Sequence, residues 1–402
     1  MEAYFTEWLG LLVRWFHVIA GVAWIGASFY FVWLDNHLRQ PPQWKLDKGI
    51  KGDLWAIHGG GFYEIAKYRL EPEKMPTELH WFKWEAYSTW LSGMALLFIV
   101  YYLGSPGFLV DTARADISVA AAAAAGLGTI ALALVIYEAL IRSPLANQGK
   151  LFGLVLYGIL VVTAWALFQV LSGRGAFIHV GAIIGTIMVA NVFLGIIPAQ
   201  KALVAAVRDS RAPDGRVARL ATLAKLRSTH NNYLTLPVLF IMISNHYPML
   251  YGHPMGWAIL AAIGFIAAFT RHYFNLRHRD IDRPSILVVA ALLATALIWT
   301  LAPRTPEPMA ENGAMSAAPT DTQVLGIVNQ HCLSCHARVP AHPAFQAAPA
   351  GIVLDSLAAL SEHGARVRQA AVDTHYMPLG NTSGMTEEER RILGQWLLTP
   401  SQ

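Results

Sequence analysis

Apolar residues fill most of the first 303 positions of this chain, in blocks that more polar segments separate. Each block is close to the ~20 residues that an α-helix needs to cross the hydrocarbon core of a bilayer. We therefore expect an all-α fold with an eight-span transmembrane helix bundle over residues 1–303. The predicted spans are 8–34, 85–104, 117–141, 151–171, 175–198, 233–251, 255–274 and 285–303.

The pattern changes abruptly after position 303. Residues 304–322 are rich in Pro, Ala and Glu, which predicts a flexible linker. Residues 323–402 carry shorter apolar runs and predict a small soluble helical domain. Near its end, Thr386 precedes three glutamates, the pattern of a helix N-cap and an acidic first turn. We therefore expect a helix over 387–398.

The C-terminal segment contains the run Cys332-Leu333-Ser334-Cys335-His336, which holds both cysteines of the chain. Cys-x-x-Cys-His is the attachment sequence of c-type haem, whereas a thioredoxin-like redox pair requires a βαβ context and no obligatory histidine. The two thiols would bind the haem covalently, and His336 would be an axial ligand of its iron. The motif predicts one haem c in a class I-type cytochrome c domain at 323–402, outside the bacterial cytoplasm.

Met377, on the loop Tyr376-Met377-Pro378, is the predicted second axial ligand. His/Met ligation raises the haem potential, which suits an electron acceptor. Met385, just before the predicted last helix, is the rival. We expect the other histidines of this segment to be solvent-exposed: His331, His342, His363 and His375.

The distribution of Lys and Arg predicts the orientation. Nearly all basic loop residues lie in 35–83, in 199–232 and after the seventh predicted span. Basic loops remain cytoplasmic, so we expect a multi-pass protein of the bacterial inner membrane with both termini and the haem motif in the periplasm. The net charge of +4 follows from this bias. It indicates a membrane-lipid partner and no nucleic acid.

Ionisable side chains at membrane depth are costly and often functional. His17 in the first span and His179 in the fifth lie in segments that look like weak copies, as a parallel repeat would produce. Such a repeat would place both imidazoles in the outer half of the bundle, where they could bind a b-type haem. His246 is the alternative partner, and simple helix contacts are the alternative for all three.

A second concentration of polar residues lies at the predicted cytoplasmic face. Its members are His80, Glu85, His230, Asn231 and Asn232. An interfacial belt explains the neighbouring tryptophans but explains these residues less well. A glycine run at 59–61 either lets a ligand approach the backbone closely or forms a turn.

Four stretches resemble the membrane-bound bacterial urate oxidase (urate hydroxylase) family: RWFHVIAGVAWIGASFYF, HGGGFYEIAKYRL, LHWFKWEAYSTWLSG and HNNYLTLPVLFIMISNHYP. Members of that family typically join an eight-span membrane domain to a cytochrome c domain, so the resemblance covers essentially the whole chain. It implies oxidation of urate to 5-hydroxyisourate in purine degradation, without peroxide. Electrons would pass to the chain's own haem c and then to a respiratory acceptor, a soluble cytochrome c or a terminal oxidase. Cys332, Cys335, His336 and Met377 match the cytochrome pattern, and no catalytic set is carried over for the membrane domain.

Urate is a flat conjugated anion, and its site needs an aromatic face, amide groups, positive charge and a base. Asn231 and Asn232 suit the ring edge, and His80, Glu85 or His230 suits the base. The candidates for the positive charge are Lys83, Arg227 and Arg271. A cytoplasmic site would lie ~30 Å from the periplasmic haem. It therefore needs a carrier inside the membrane, or else the pocket opens outward.

Two other functions remain open. One is a quinol-linked respiratory cytochrome subunit without a purine substrate. The other is a transporter or haem-handling protein with an attached redox sensor.

Overall fold

The structure, a computed structural model, describes residues 2–69, 72, 74–209, 215–302, 319–343, 345 and 347–398. Most of the predicted linker 304–322 therefore lies outside the described residues. The described part up to residue 302 forms these helices: α1 (Glu2–His37), α2 (Gln43–Asp47), α3 (Trp84–Leu97), α4 (Val119–Arg142), α5 (Gly149–Val170), α6 (Gly173–Ala190), α7 (Ile197–Arg208), α8 (Gly215–Ser244), α9 (Pro248–Tyr251), α10 (Gly256–Arg277) and α11 (Ser285–Thr300).

Within the described residues, five helical segments are long and apolar enough to cross a membrane. They are Phe5–His37, Val119–Arg142, Gly149–Val170, Gly173–Arg208 and Gly256–Arg277. These segments agree with the first, third, fourth, fifth and seventh predicted spans. The other three predictions fall on α3, on the second half of α8 and on α11, which are shorter or carry more polar residues.

Two wide π turns interrupt the regular helices of the bundle. Phe98–Tyr102 continues α3, and Asn191–Ile196 joins α6 to α7. Serines begin two of the long helices: the hydroxyl of Ser118 accepts a hydrogen bond from the Ala121 N–H, and that of Ser172 accepts one from the Gly175 N–H. These caps satisfy backbone donors that the first helical turn leaves open.

The prediction of an all-α fold is wrong at one place. Strand β1 (Ile50–His58) pairs antiparallel with β2 (Gly61–Tyr68), with Trp55 opposite Glu64. Gly59 and Gly60 both have positive φ, which a two-residue hairpin turn of this kind requires. The glycine run therefore forms a turn. The buried ammonium of Lys45 pairs with the carboxylates of Asp53 and Glu64 and fastens α2 to the hairpin.

The core of the bundle is centred on α6. Most residues of α6 are buried, and α3, α4, α5 and α8 pack around it. A helix that is apolar on all sides is expected at the centre of a bundle. The interior polar groups are consequently held in place from several directions.

The described residues after 318 form a C-terminal unit with its own apolar core around Val324, Val328 and Leu393. Its helices are α12 (Asp321–His331), α13 (Leu333–His336), α14 (Leu357–Glu362), α15 (Gly364–Val367) and α16 (Glu387–Leu398). The helix predicted over 387–398 is confirmed, as is its cap, because the Glu389 N–H donates to the Thr386 hydroxyl. The first and last helices, α12 and α16, pack together.

The C-terminal unit lies against one end of the bundle, which we name the docking end. The Thr112 N–H donates to the Gly380 carbonyl at 3.2 Å, and the Tyr251 and Tyr376 rings meet edge to face with centroids 5.2 Å apart. The opposite end carries the hairpin and the last turns of α1 and α10, and we name it the hairpin end.

Candidate functional site

The Cys-x-x-Cys-His run forms a single helical turn. The Cys335 and His336 N–H groups both donate to the Cys332 carbonyl, at 3.1 and 2.8 Å. In addition, the His336 Nδ1 lies 2.8 Å from the Ile352 carbonyl. Because a carbonyl only accepts, Nδ1 carries the proton and the lone pair of Nε2 remains available to a metal. Two free thiols and a preset imidazole on one turn fit the donor set of a c-type haem.

Both methionines proposed as the second ligand belong to the C-terminal unit. Met377 is half-buried against the core, and its carbonyl accepts a hydrogen bond from the Arg390 Nη1 at 2.7 Å. Met385 is buried within the core itself. Burial raises the pKa of the Cys332 thiol to about 11. Among the described residues no three His, Cys, Asp or Glu gather as a metal site.

The expectation that His331 is solvent-exposed is wrong, since it is 5% exposed. Its ring lies 2.8 Å from the Ser383 hydroxyl and 3.2 Å from the Glu389 carboxylate. The residue continues the buried face of α12 at helical spacing after Val324 and Val328. That spacing was readable in the sequence and places the imidazole inside.

Arg174 is the central cation of the docking end. Its guanidinium lies 4.1 Å from the Phe108 ring centre and 5.8 Å from that of Tyr101, and its Nε donates to Asn245. A cleft of about 290 Å³ opens beside it. Among the residues lining this cleft are Asp111, Arg114, Arg174, Tyr251, His375 and Tyr376. Tyr376 precedes Met377, so the loop of the proposed haem ligand rests on the bundle.

The structure does not bring the three histidines proposed for a b-type haem face to face. The His17 Nδ1 lies 3.0 Å from both the Thr89 carbonyl and the Ser92 hydroxyl. His179 is fully buried, with Nδ1 bonded to its own helix and Nε2 2.9 Å from the Tyr102 hydroxyl. Ser92, which contacts His17, and Tyr102, which contacts His179, are ten positions apart. The two histidines therefore contact this helical segment at levels about 15 Å apart.

The third of these histidines, His246, is exposed at the docking end. Thus none of the described contacts joins two of the three imidazoles. A b-type haem stays a prediction.

At the hairpin end, His230 and Asn231 belong to a buried polar network around Arg227. The Arg227 fork binds the Glu138 carboxylate at 2.5 and 2.8 Å and donates to Asn191. Asn231 donates to the Met188 carbonyl and accepts from Asn191. The His230 Nδ1 lies 2.9 Å from a hydroxyl, that of Tyr137. The protein's own groups therefore occupy His230 Nδ1, Asn231 and both Nη atoms of Arg227, whereas the Arg227 Nε is buried without a hydrogen-bond partner among the described residues.

The other two sequence candidates at this end are less engaged. His80 is largely exposed and precedes α3, with its Nε2 3.8 Å from the Glu85 Oε1. The second carboxylate oxygen of Glu85, Oε2, is buried without a hydrogen-bond partner among the described residues. One acceptor position of the Glu85 carboxylate is therefore not occupied by any described residue.

Asn232 contacts a different arginine. Arg271 is 5% exposed; its Nε donates to the Asn232 side-chain oxygen at 2.9 Å, and its guanidinium lies 4.0 Å from the ring centre of Phe29. Its Nη2 is buried without a partner, and no described carboxylate forms an ion pair with it. This guanidinium therefore carries a charge that nothing in the described protein balances.

A cleft of about 480 Å³ opens at the hairpin end, one helical turn beyond this arginine. Its lining residues are Trp33, His37, Phe274, Arg277, His278, Asp280 and Asp282. The Trp33 and His37 rings stack at 4.9 Å, and the His37 and His278 rings meet at 5.6 Å. Burial, and then the charge of Arg271, lower the pKa of His278. Sequence reasoning missed this cleft, because its walls come from α1 and α10, which lie far apart along the chain.

Comparison with known proteins assigns the helical bundle of the chain to a family. No curated protein and no solved structure matches the sequence. The sequence model of the family described as urate oxidase N-terminal matches residues 3–302, which cover α1 to α11. This match extends over about three quarters of the chain, and the chain therefore belongs to the urate oxidase N-terminal family.

Proposed function

We propose that this protein is an integral-membrane urate oxidase that passes electrons from urate to a c-type haem on its own C-terminal unit. The observation that carries the proposal is that one chain joins a bundle of the urate oxidase N-terminal family to a Cys-x-x-Cys-His turn with a preset histidine. The reaction is urate plus water to 5-hydroxyisourate, with two electrons and two protons released.

Cys332 and Cys335 would hold the haem covalently, while His336 and Met377 would bind its iron. A haem held there would supply one-electron acceptance, and the electrons would pass on to a soluble cytochrome c or a terminal oxidase without reduction of oxygen to peroxide at the urate site. The contact between Tyr251 and Tyr376 supports this route, because it holds the Met377 loop on the bundle.

The charge pattern supports an orientation with the hairpin end in the cytoplasm and the docking end in the periplasm. In this arrangement α3, the second half of α8 and α11 complete the eight spans. Covalent haem attachment outside the cytoplasm requires the C-terminal unit on the periplasmic side. The docking end, where this unit lies, is the end that charge assigns to the periplasm.

For the chemical step, the free oxygen of Glu85 makes it the proposed base that removes a proton during water attack. His80, 3.8 Å away, is positioned to receive that proton and release it at the exposed hairpin end. His230 and Asn231 are assigned a supporting role, since their hydrogen bonds are already satisfied within the protein.

Electrons released at the hairpin end must cross the bundle. Asn232, on α8, and Asn245, the residue after its end, are thirteen positions apart, or about 20 Å, and Asn245 accepts a hydrogen bond from Tyr101 at the docking end. Trp90, bonded to Thr186, and the Tyr102–His179 pair belong to the helical segments that span this distance. The crossing requires a redox carrier inside the membrane, for which a b-type haem is the candidate that the sequence predicts.

The test is anaerobic addition of urate to oxidised membranes while the absorption bands of haem c are recorded. We expect reduction by urate, but not by xanthine or allantoin, and no peroxide when air is admitted. Reduction by a quinol but not by urate would overturn the proposal in favour of a respiratory cytochrome subunit.

A further inference from the structure

One helical turn inward from the cleft at the hairpin end lies a buried cation without a counter-ion among the described residues. We propose that this cleft, between α1 and α10, is where the urate anion binds, with Arg271 as the residue that recognises its negative charge. This inference rests on the proposed function and specifies the place and the chemistry of substrate binding.

The state of Arg271 is the first argument. An unpaired charge removed from water is costly, and more so at membrane depth. Arg227, at the same end, is a buried guanidinium whose charge the protein itself neutralises, because Glu138 accepts two hydrogen bonds from it. Arg271 has Asn232 on Nε and the face of Phe29, but no carboxylate. An anion from outside the chain would complete this site.

The directions of the donors are the second argument. A guanidinium is a rigid fork that pairs best with a planar, two-point acceptor. Asn232 uses the Nε edge, and neither Nη forms a hydrogen bond with the described residues. The free edge suits the adjacent oxygen and nitrogen acceptors of a conjugated heterocyclic anion.

The walls of the cleft are the third argument. Phe29, Trp33 and His37 follow one another at four-residue spacing on α1, while Arg271, Phe274 and His278 share a face of α10. Phe29 and Arg271 do not line the cleft themselves, and their contact lies one helical turn inward from its walls. Aromatic walls stack on flat ligands, and about 480 Å³ is an ordinary size for a small-molecule site.

The charges around the mouth complete the description. Arg277 adds a positive charge, whereas Asp280 and Asp282 are negative. Asp282 accepts a hydrogen bond from the Tyr273 hydroxyl at 3.3 Å, which fixes it at the rim. The positive charge of Arg271 thus lies inward of this rim, where charges are least screened by water.

The experiment uses the full-length, haem-loaded protein, reduced with dithionite under argon so that bound urate cannot be oxidised. Equilibrium dialysis with radiolabelled urate then measures binding without turnover. We expect Arg271→Gln to weaken urate binding by at least about tenfold, as expected for loss of charge-assisted hydrogen bonds. Arg271→Lys keeps the charge but not the fork, so its affinity for urate should lie between those of Arg271→Gln and the unchanged protein.

Arg279→Gln is the matched control, because it removes an exposed arginine of the same region that does not line the cleft. It should bind urate like the unchanged protein. Trp33→Ala should weaken binding and Trp33→Phe should preserve most of it. This pair carries the test if Arg271→Gln fails to fold, which thermal unfolding of the bundle in detergent would reveal.

Unchanged urate affinity in Arg271→Gln and in Trp33→Ala would overturn the assignment of the cleft. If urate still reduced the haem in those variants, the proposed function would stand and the binding site would lie elsewhere. If urate failed to reduce the haem of the unchanged protein, the proposed function itself would fall.

Discussion

The two ends of the bundle each hold an arginine without a carboxylate partner among the described residues, but they surround it differently. At the docking end, Arg174 is half-buried against the rings of Phe108 and Tyr101 and lines the cleft between the bundle and the C-terminal unit. At the hairpin end, Arg271 is buried against one ring and one amide and lies one helical turn inward from an open cleft. The first arrangement stabilises a contact between parts of the protein, and the second leaves binding capacity for a ligand. Four tests probe this difference, from the largest expected effect to the smallest.

The double change Cys332→Ala with Cys335→Ala should affect the C-terminal unit without affecting the hairpin end. Covalent haem attachment needs both thiols, so we expect its loss and abolition of urate-driven electron transfer. Urate binding at the hairpin end should persist. A pyridine haemochrome spectrum measures haem attachment, and equilibrium dialysis measures urate binding. Loss of both properties together would contradict the proposal that the two ends act independently.

Glu138→Gln should convert the paired Arg227 into an uncompensated buried charge. Breaking a buried pair in this way costs about 3–5 kcal/mol, which thermal unfolding in detergent would show as a lowered midpoint. Arg271→Leu should leave the midpoint unchanged or raise it, because it removes a charge that is already unpaired.

The control for this pair is Arg142→Gln. It removes the exposed arginine that contacts the same Glu138 carboxylate at 2.9 Å and should cost less than about 1 kcal/mol. Equal losses in Glu138→Gln and Arg271→Leu would show that Arg271 is held by the protein after all.

Gly380→Ala should weaken the docking contact. Gly380 has φ +62°, and a Cβ there would lie 2.5 Å from the Val110 carbonyl oxygen and 2.7 Å from the Gly107 Cα. Gly384, at φ +70°, has open space around it, so Gly384→Ala carries only the backbone cost of about 1–2 kcal/mol. We expect slower reduction of the haem by urate in Gly380→Ala alone, measured by stopped-flow absorbance. Equal rates in the two variants would argue against a role for the contact.

Glu389 gives the smallest effect, and it depends on pH. Hydrogen bonds from the Thr386 N–H and hydroxyl hold the pKa of Glu389 below its usual value of 4.5. The stabilisation is therefore complete above that value and is lost as the pH falls through the lower, folded-state pKa. Glu389→Gln should flatten this dependence, and Glu389→Ala should cost about 1 kcal/mol. Denaturant unfolding followed at the haem bands would measure both, and a slope unchanged by Glu389→Gln would contradict the assignment.

Much of the helical framework was predictable, because long apolar blocks and the Thr386 cap are local signals. The hairpin was missed, since its strands lie inside a basic connection that charge marked only as a loop. For the candidate site, Asn232 and Arg271 could be named as types suited to urate. The sequence could not show that Arg227 is neutralised while Arg271 is not. That difference depends on Glu138, which reaches Arg227 from α4. The roles of Trp33, His37 and His278 depend on the approach of α1 to α10, which no local pattern encodes.

The π turn at Phe98–Tyr102 predicts how the deletion of one residue would affect this bundle in related chains. Tyr101 reaches Asn245 and Tyr102 reaches His179, so two consecutive residues both find partners inside the protein. In a regular α-helix, neighbours diverge by about 100°. The wider turn accommodates one extra residue per turn, and deleting one residue there would rotate the end of α3 away from these partners while sparing the hairpin end. Related chains that have lost this residue would be natural variants with an intact cleft and an altered junction to the C-terminal unit.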